Sequence, residues 1–576
     1  MCLWKSRALE SVWRSLSRCL AAALLCGVLT PATAPTSLRT LVASGALEDL
    51  RWPRFANYQV AIQEFYQRDG YALAWVRDGE PTNQARGIIN VIQNAGLKGL
   101  DPEDYDASRW PARLTRLRPI SPHPNEAELE HFDVALTVSV MRYISDSTVG
   151  KVNPKVLCFG FDVDNKKCDL ATLLRDRLVN AADFRSILES LEPQFSGYRR
   201  TLKALQTYTL LAQQDTGERL PPAKKSVDPG AAYPALPRLE RLLRLLGDLP
   251  PNAPSTGSLV YQGAIVDAVR HFQQRHGIDP DGRIGKSTLQ HLNTPLSYRV
   301  RQLQLTLERW RWVPTDFQRP PIVINIPEFR LRAYNDRYEP ALEMKVVVGH
   351  AYRRQTPVFM QNMTHVIFRP YWNVPLSIQR GELVPALTKD PAYLGKNEYE
   401  VVNSRREVVA KDRVNSEVLK QLRNGKLSIR QIPGAKNALG HIKLMFPNEY
   451  NVYLHGTPAQ SLFARSRRDF SHGCIRVEKP DELAAWVLKG QDDWSLERIR
   501  EEEMEDGPPL QVNLNRSIPV LVVYGTAVVL ENGDVCFFDD IYHHDASLAQ
   551  LLDHGYPYSD FQPSATTAAR DLRPRE

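Results

Sequence analysis

Apolar residues recur at a helical spacing through the first half of the chain and at a strand-like spacing through the second. Residues 39–212 read as mostly helical, with breaks at Trp52-Pro53, at Asp78-Gly79-Glu80-Pro81 and in the proline-rich stretch 112–124. A further helix is predicted from Pro237, with Leu239, Leu242, Leu243 and Leu246 at i, i+3, i+4 and i+7 and Gly247 just past its end. Ile265, Ala268, Val269 and Phe272 then share one helical face. The turn HGIDPDGRIG (276–285) follows, and a short helix carries Leu289 and Leu292. From about 301 the period changes. PIVINIP (321–327), FRLRAYN (329–335), EMKVVVG (343–349), THVIFRPYWNVP (364–375), NVYLHG (451–456) and IPVLVVYGTAVV (518–529) are strand-like runs separated by turn residues. A polar, partly helical stretch, about 377–432, interrupts them as an insertion. Residues 215–235 are rich in Pro, Gly and Lys and read as a linker, and the polar tail from Pro557 is expected to fray.

The first 34 residues stand apart. Lys5, Arg7, Arg14 and Arg18 precede an unbroken apolar and small-residue run, Cys19 to Leu29, and Ala32-Thr33-Ala34 closes it, the three parts of a secretory signal. The run is shorter than the ~20 residues that span a bilayer. Pro35 would be the first mature residue, so an uncleaved N-terminal anchor is the alternative; either way the chain is exported. Seven cysteines are present, three of them in the leader. Cys158 and Cys168 flank a polar segment that would suit a small disulfide loop in an oxidising compartment. The composition, 43% hydrophobic and 24% charged over 576 residues, is that of globular protein and excludes a disordered chain, a collagen-like repeat and a multi-span membrane protein. A net charge of +7 (73 basic against 66 acidic residues) on such a length gives no case for a nucleic-acid partner.

Chemistry concentrates in HGTPAQSLFARSRRDFSHGCIRVEKP, residues 455–480. A nucleophilic cysteine needs a base and a positive environment to form its thiolate. His455 and His472 are candidate bases for Cys474, and Arg476 adds charge. If 472–476 is extended, His472, Cys474 and Arg476 share a face. Gly473 permits close approach and could free an N–H for an oxyanion hole. The segment offers no apolar face into which Cys474 could pack as an inert core residue. Spacing alone does not choose between the two histidines.

This pattern, His455-Gly456, then Ser471-His472-Gly473-Cys474-Ile475-Arg476, resembles the signature of the L,D-transpeptidases of the YkuD type. VVVGHAYRRQTPVF (346–359), FRPYWNVPLSI (368–378) and GAKNALGHIKLMFPN (434–448) resemble the stretches before that site in the large enzymes of the family. Residues 260–293 resemble a three-helix peptidoglycan-binding module, and FYQRDGYALAWV (65–76) with AGLKGLDPEDY (95–105) resembles the scaffold of the large Gram-negative members. The resemblance implies a multidomain α+β architecture: leader 1–34, helical scaffold 39–248 including the linker, binding module 255–297, a mostly β catalytic domain 301–545 with a capping subdomain at about 377–432, and a tail 557–576. It implies a periplasmic murein transferase that forms 3→3 cross-links between tetrapeptide stems, donor and acceptor, through a Cys474 thioester with release of D-alanine. His455 would be the base, oriented by the Gly456 carbonyl; His472 would polarise the site; the Gly473 and Cys474 N–H groups would hold the oxyanion. Tyr453, Ser471 and Arg476 would line it, Arg476 facing a substrate carboxylate, with Trp372 and Asn373 at the entrance. No metal or organic cofactor is needed, carbapenems are expected to acylate the thiol, and cell-wall synthesis enzymes are candidate partners. Water as acceptor would make it an L,D-carboxypeptidase, a lysine amine would attach a lipoprotein, and a non-catalytic peptidoglycan-binding scaffold is the reading outside catalysis.

Other motifs dissolve on inspection. Gly285-Lys286-Ser287 lacks the first glycine of a phosphate loop, since Pro280 stands there. Asp162, Asp164 and Asn165 lack the Gly and Glu of a calcium loop, Lys167 and Leu173 standing in their places. Consecutive His543-His544-Asp545 diverge too far to share a metal. Glu501–Glu503, and Arg465, Arg467 and Arg468, read most simply as solvated charge, with acidic stem peptides or glycan as a further partner for the arginines. Cys536 reads as inert packing.

Overall fold

A computed structural model describes residues 37–118, 125–222, 225–255, 257–317, 319–351, 354–491 and 494–554. The leader (1–34) and the tail (557–576) lie outside the described residues. Among those described, no helix is long and apolar enough to cross a membrane.

The scaffold is built on one helix, Glu126–Val149, buried on nearly every side, from Leu129 and Phe132 through Val138 and Met141 to Val149. Helices Leu38–Ser44, Gln59–Arg68, Asn83–Gln93 and Phe184–Leu191 pack round it. Its buried Asp133 is held by the N–H groups of Ala74 (3.1 Å) and Trp75 (2.7 Å) and by the Tyr66 hydroxyl (2.7 Å). Burial still raises its carboxyl to about 6.

The expected linker is instead part of the binding module. Leu220 and Tyr233 are core residues beside Leu236, Leu239 and Leu243 of helix Leu236–Leu245 and Ile265, Val269 and Phe272 of helix Ala264–Arg275. Val227 bridges Ile284, Ala232 bridges Val260, and the Leu220 N–H donates to Asn293 Oδ1 at 2.7 Å. Proline and lysine marked irregular backbone correctly, but two large apolar side chains anchor it. The helix assigned to the scaffold at 237–246 therefore belongs to this module.

Helix Leu296–Trp312 carries the chain into the catalytic domain, packing on helix Ser196–Gln214 and on the ribbon 527–529/535–537. Cys536 in that ribbon is buried, its thiol pushed up to about 12 by desolvation. The catalytic strands are β1 (Ile322–Asn325), β2 (Arg330–Tyr334), β3 (Pro340–Gly349), β4 (Phe359–Phe368), β5 (Ile442–Met445), β6 (Leu454–His455), β7 (Asp469–Ser471), β8 (Ile475–Val477) and β9 (Leu510–Val523). They lie in the order β7-β3-β8-β6-β5-β4-β9-β1-β2, and β2 also pairs with β3, so the sheet curls back on itself. The pairs β6–β8, β7–β3 and β9–β1 are parallel.

Two further units touch this sheet. Phe159, Phe161 and Val163, from the scaffold half of the sequence, lie in the catalytic core, and Gly160 pairs with Phe359 beside β4. A Cβ at Gly160 would meet that of Phe359 at 2.8 Å, so glycine is needed for the approach. Residues 372–431 form a cap with its own sheet (372–373, 428–431, 399–402, 408–410) and its own core of Ile378, Leu387, Leu394, Val401, Leu422 and Ile429.

Several expectations are corrected here. Cys158 and Cys168 are separate exposed thiols, not a disulfide. Glu502 is not solvated: it is buried and ion-paired with Arg369 at 2.5 Å. Arg468 is likewise buried, donating to the carbonyls of Val346 and Phe329, while Arg467 pairs with Asp469 at 2.7 Å; both tie down the loop between β6 and β7.

Candidate active site

Strand pairing assembles the site. Ile442, Leu444, Leu454, Ile475 and Val477 point into the catalytic core. Side chains alternate along a strand, so Lys443, His455 and Arg476 emerge on the other face. The register sets Lys443 opposite His455 and His455 opposite Arg476. One pleat back, the Ile475 N–H donates to the Tyr453 carbonyl at 3.1 Å, which brings Cys474 beside Tyr453.

The approach to Cys474 is a sharp turn. Gly473 has φ +117, a backbone state essentially reserved for glycine. Ser471 Oγ donates to the Cys474 carbonyl (2.5 Å) and accepts from the Gly473 N–H (3.1 Å). The Gly473 carbonyl accepts from Thr356 Oγ1 (2.8 Å), which itself accepts from the Gly349 N–H (2.9 Å). The Tyr542 hydroxyl closes the cluster on the Gly349 carbonyl (2.5 Å). Thr356 and Tyr542 were invisible to the motif, since they reach the site from distant segments.

His455 is 4% exposed, and its Nδ1 lies 2.6 Å from the Gly456 carbonyl. A carbonyl only accepts, so Nδ1 carries the proton and Nε2 the lone pair. Burial and the nearby Arg476 charge depress the imidazole to about 3, keeping it neutral. Gly456 fits tightly: its carbonyl carbon would lie 2.8 Å from a Cβ on Gly440, whose φ is +64. The Cys474 thiol is raised by burial, and opposed by hydrogen bonding from Tyr453 and by the charges of Lys443 and Arg476. Its Sγ lies 3.7 Å from the Asn451 carbonyl. The Tyr453 ring is 5.7 Å from the His455 ring and carries the Lys443 ammonium over its face at 3.8 Å. Lys443 is a further candidate site residue, placed opposite His455 by a strand register that no local motif records.

His472 turns away from the strand row. Its Nε2 lies 2.6 Å from Glu382 of the cap, which also binds Arg354 at 2.9 Å. Trp372 and Asn373 belong to the cap's sheet, paired with Gln431 and Arg430, and the Trp372 ring packs toward Tyr399. They are thus elements of the cap's edge, with packing that accounts for the aromatic. No group of three or more His, Cys, Asp or Glu suited to a metal occurs among the described residues. His544 is buried against Phe159, Tyr524 and Tyr542.

Comparison with known proteins agrees with this architecture. Residues 319–500 match the L,D-transpeptidase catalytic domain, residues 60–205 a scaffold domain and residues 233–292 a peptidoglycan binding domain. An L,D-transpeptidase catalytic domain therefore carries the site. A Haemophilus influenzae protein named "Putative L,D-transpeptidase" is 32% identical over 249 residues, 43% of this chain and 49% of that protein. The chain thus spans about half the length of this curated relative. A solved L,D-transpeptidase structure from Xylanimonas cellulosilytica aligns at 16% identity with a TM-score of 0.17, covering 53% of this chain and all of that one, which adds nothing to the domain match. The chain therefore carries a scaffold domain, a peptidoglycan binding domain and an L,D-transpeptidase catalytic domain, and the peptidoglycan-related domains point to an extracytoplasmic protein.

Proposed function

We propose that the protein is a murein L,D-transpeptidase that joins peptidoglycan stem peptides by 3→3 cross-links. The observation that carries this reading is the strand register that sets His455, neutral with its proton fixed on Nδ1, opposite Arg476, two residues from Cys474, within the matched catalytic domain. Cys474 Sγ, its proton taken by His455 Nε2, attacks the carbonyl of the third stem residue, a diaminopimelate. The C–N bond to the terminal D-alanine breaks, and the departing amine recovers the proton from His455. The thioester is then opened by the side-chain amine of a second stem, which forms the new amide and returns the thiol. Of the two oxyanion donors expected, the Gly473 N–H is already given to Ser471 Oγ, so the developing charge is assigned to the Cys474 N–H. Such a donor is worth roughly 3–4 kcal/mol of transition-state stabilisation. Arg476 and Tyr453 bind substrate, Ser471 shapes the turn, and His472 orients the cap against it. The binding module would hold glycan strands near the site. The N-terminal signal would deliver the protein to the periplasm, where cell-wall synthesis enzymes are its expected neighbours.

The test is incubation of residues 36–576 with purified disaccharide-tetrapeptide, products read by mass spectrometry, with Cys474→Ala as control. A dimer formed with loss of D-alanine, absent from the control, supports the reading. Tripeptide without dimer makes water the acceptor and replaces cross-linking with carboxypeptidase activity. A carbapenem should add its mass at Cys474 and nowhere in the control.

A further inference from the structure

Buried cations in this molecule are held by carboxylates or, like Arg468 and Arg299, by carbonyls and amide oxygens. Arg113 meets Asp106 at 2.7 Å, Arg275 meets Asp248 at 2.5 Å, Arg309 meets Asp545 at 2.5 Å, and Arg332 meets Glu328 at 2.5 Å. Beside the thiol the rule fails twice. Lys443 and Arg476 are both half-buried, flank His455 in one row across three strands, and have no carboxylate within ion-pairing distance among the described residues. Among the described residues Lys443 rests on the face of Tyr453, and Arg476 Nε is buried without a hydrogen-bond partner. Burial weakens both cations. Removing two positive groups from water without an anion is costly unless one arrives.

We propose that Lys443 and Arg476 form a two-cation clamp for a carboxylate of the peptide bound at Cys474. Arg476 supplies directional N–H donors and Lys443 a point charge held over Tyr453, an arrangement suited to one carboxylate between two adjacent strand positions. Lys443 is then a determinant of specificity for free-acid over amidated peptides. The inference rests on the reading that the site takes a peptide donor, and its test is kept separate from turnover.

Binding is measured by calorimetry with the full chain carrying Cys474→Ala, using a stem tetrapeptide with free carboxylates and the same peptide with its carboxylates converted to amides. The free acid should bind about tenfold more tightly than the amide. Adding Lys443→Met should reduce that preference to the part Arg476 supplies, weakening the free acid more than the amide, and Lys443→Arg should restore it. Equal weakening of both ligands by Lys443→Met would show a structural role and overturn the clamp, as would an unchanged preference or no binding of either ligand by folded protein. Clamped binding without turnover in the Cys474 protein would sink the transpeptidase reading and leave the clamp standing. Turnover with no acid-over-amide preference would do the reverse.

Discussion

At the scale of single residues, the thiol and the imidazole are both held in their neutral forms by burial. His455 falls to about 3 and Cys474 rises, so both rest uncharged, and in the proposed mechanism charge separates only on attack. Tyr453 works against the burial of Cys474 by hydrogen bonding to it. Tyr453→Phe, which removes the hydroxyl and keeps the backbone N–H, should therefore move the alkylation profile of Cys474 by iodoacetamide to higher pH. A profile that stays in place would remove Tyr453 from thiol activation. The depressed histidines also set acid stability. His455 and His544 both lie near 3 against an ordinary value of 6.5, so the unfolded chain binds more protons between those limits. Stability is full above about 6.5 and is lost as pH falls toward 3. Asp133, raised to about 6, acts in the opposite sense, losing stability as pH rises from about 4 to 6. Because His544 is packed among three aromatic rings, His544→Phe should shift the midpoint of acid unfolding to lower pH, followed by circular dichroism.

At the scale of elements, the turn before Cys474 is held from outside its own segment. Thr356 Oγ1 joins the Gly349 N–H to the Gly473 carbonyl, and both lie in buried backbone. Thr356→Val keeps the shape and leaves both groups unsatisfied, which should cost about 2–3 kcal/mol in denaturant unfolding. Activity should fall further than the loss of folded protein explains, since Gly473 sets the position of Cys474, the proposed nucleophile. The cap is fastened differently, through Glu382 to His472 and Arg354 at a partly exposed position. Exposed pairs contribute about 1 kcal/mol or less. Glu382→Ala should leave the melting temperature nearly unchanged while raising hydrogen exchange across 372–431. Unchanged exchange would mean that the cap's own core, not this contact, fixes it.

At the scale of the whole molecule, scaffold and catalytic domain are not beads on a string. Phe159 lies 6.0 Å ring to ring from Trp312 and 4.9 Å from His544, inside the core that also holds β1, β4 and β9. Phe159→Ala should cost about 3–5 kcal/mol and should expose the catalytic strands to hydrogen exchange, although the residue belongs to the scaffold half of the sequence. Loss of protection confined to the scaffold helices would refute that coupling.

The sequence by itself determined the helical first half, the strand-rich second half and the local constellation of Cys474, His472, Gly473 and Arg476, because periodicity and motif spacing are local properties. Cys536 could be read as buried because its strand is apolar. Lys443, Thr356, Tyr542 and Glu382 could not be read as parts of the site, because each arrives from a segment whose own pattern says nothing about its neighbours. The linker at 215–235 misled for the same reason: composition records irregular backbone, whereas Leu220 and Tyr233 find their core only in helices from elsewhere. Burial likewise turned Glu502 and Arg468 from apparent solvated charges into internal ties. Only strand register, a long-range property, decided that Lys443, His455 and Arg476 stand in one row beside the segment that carries Cys474.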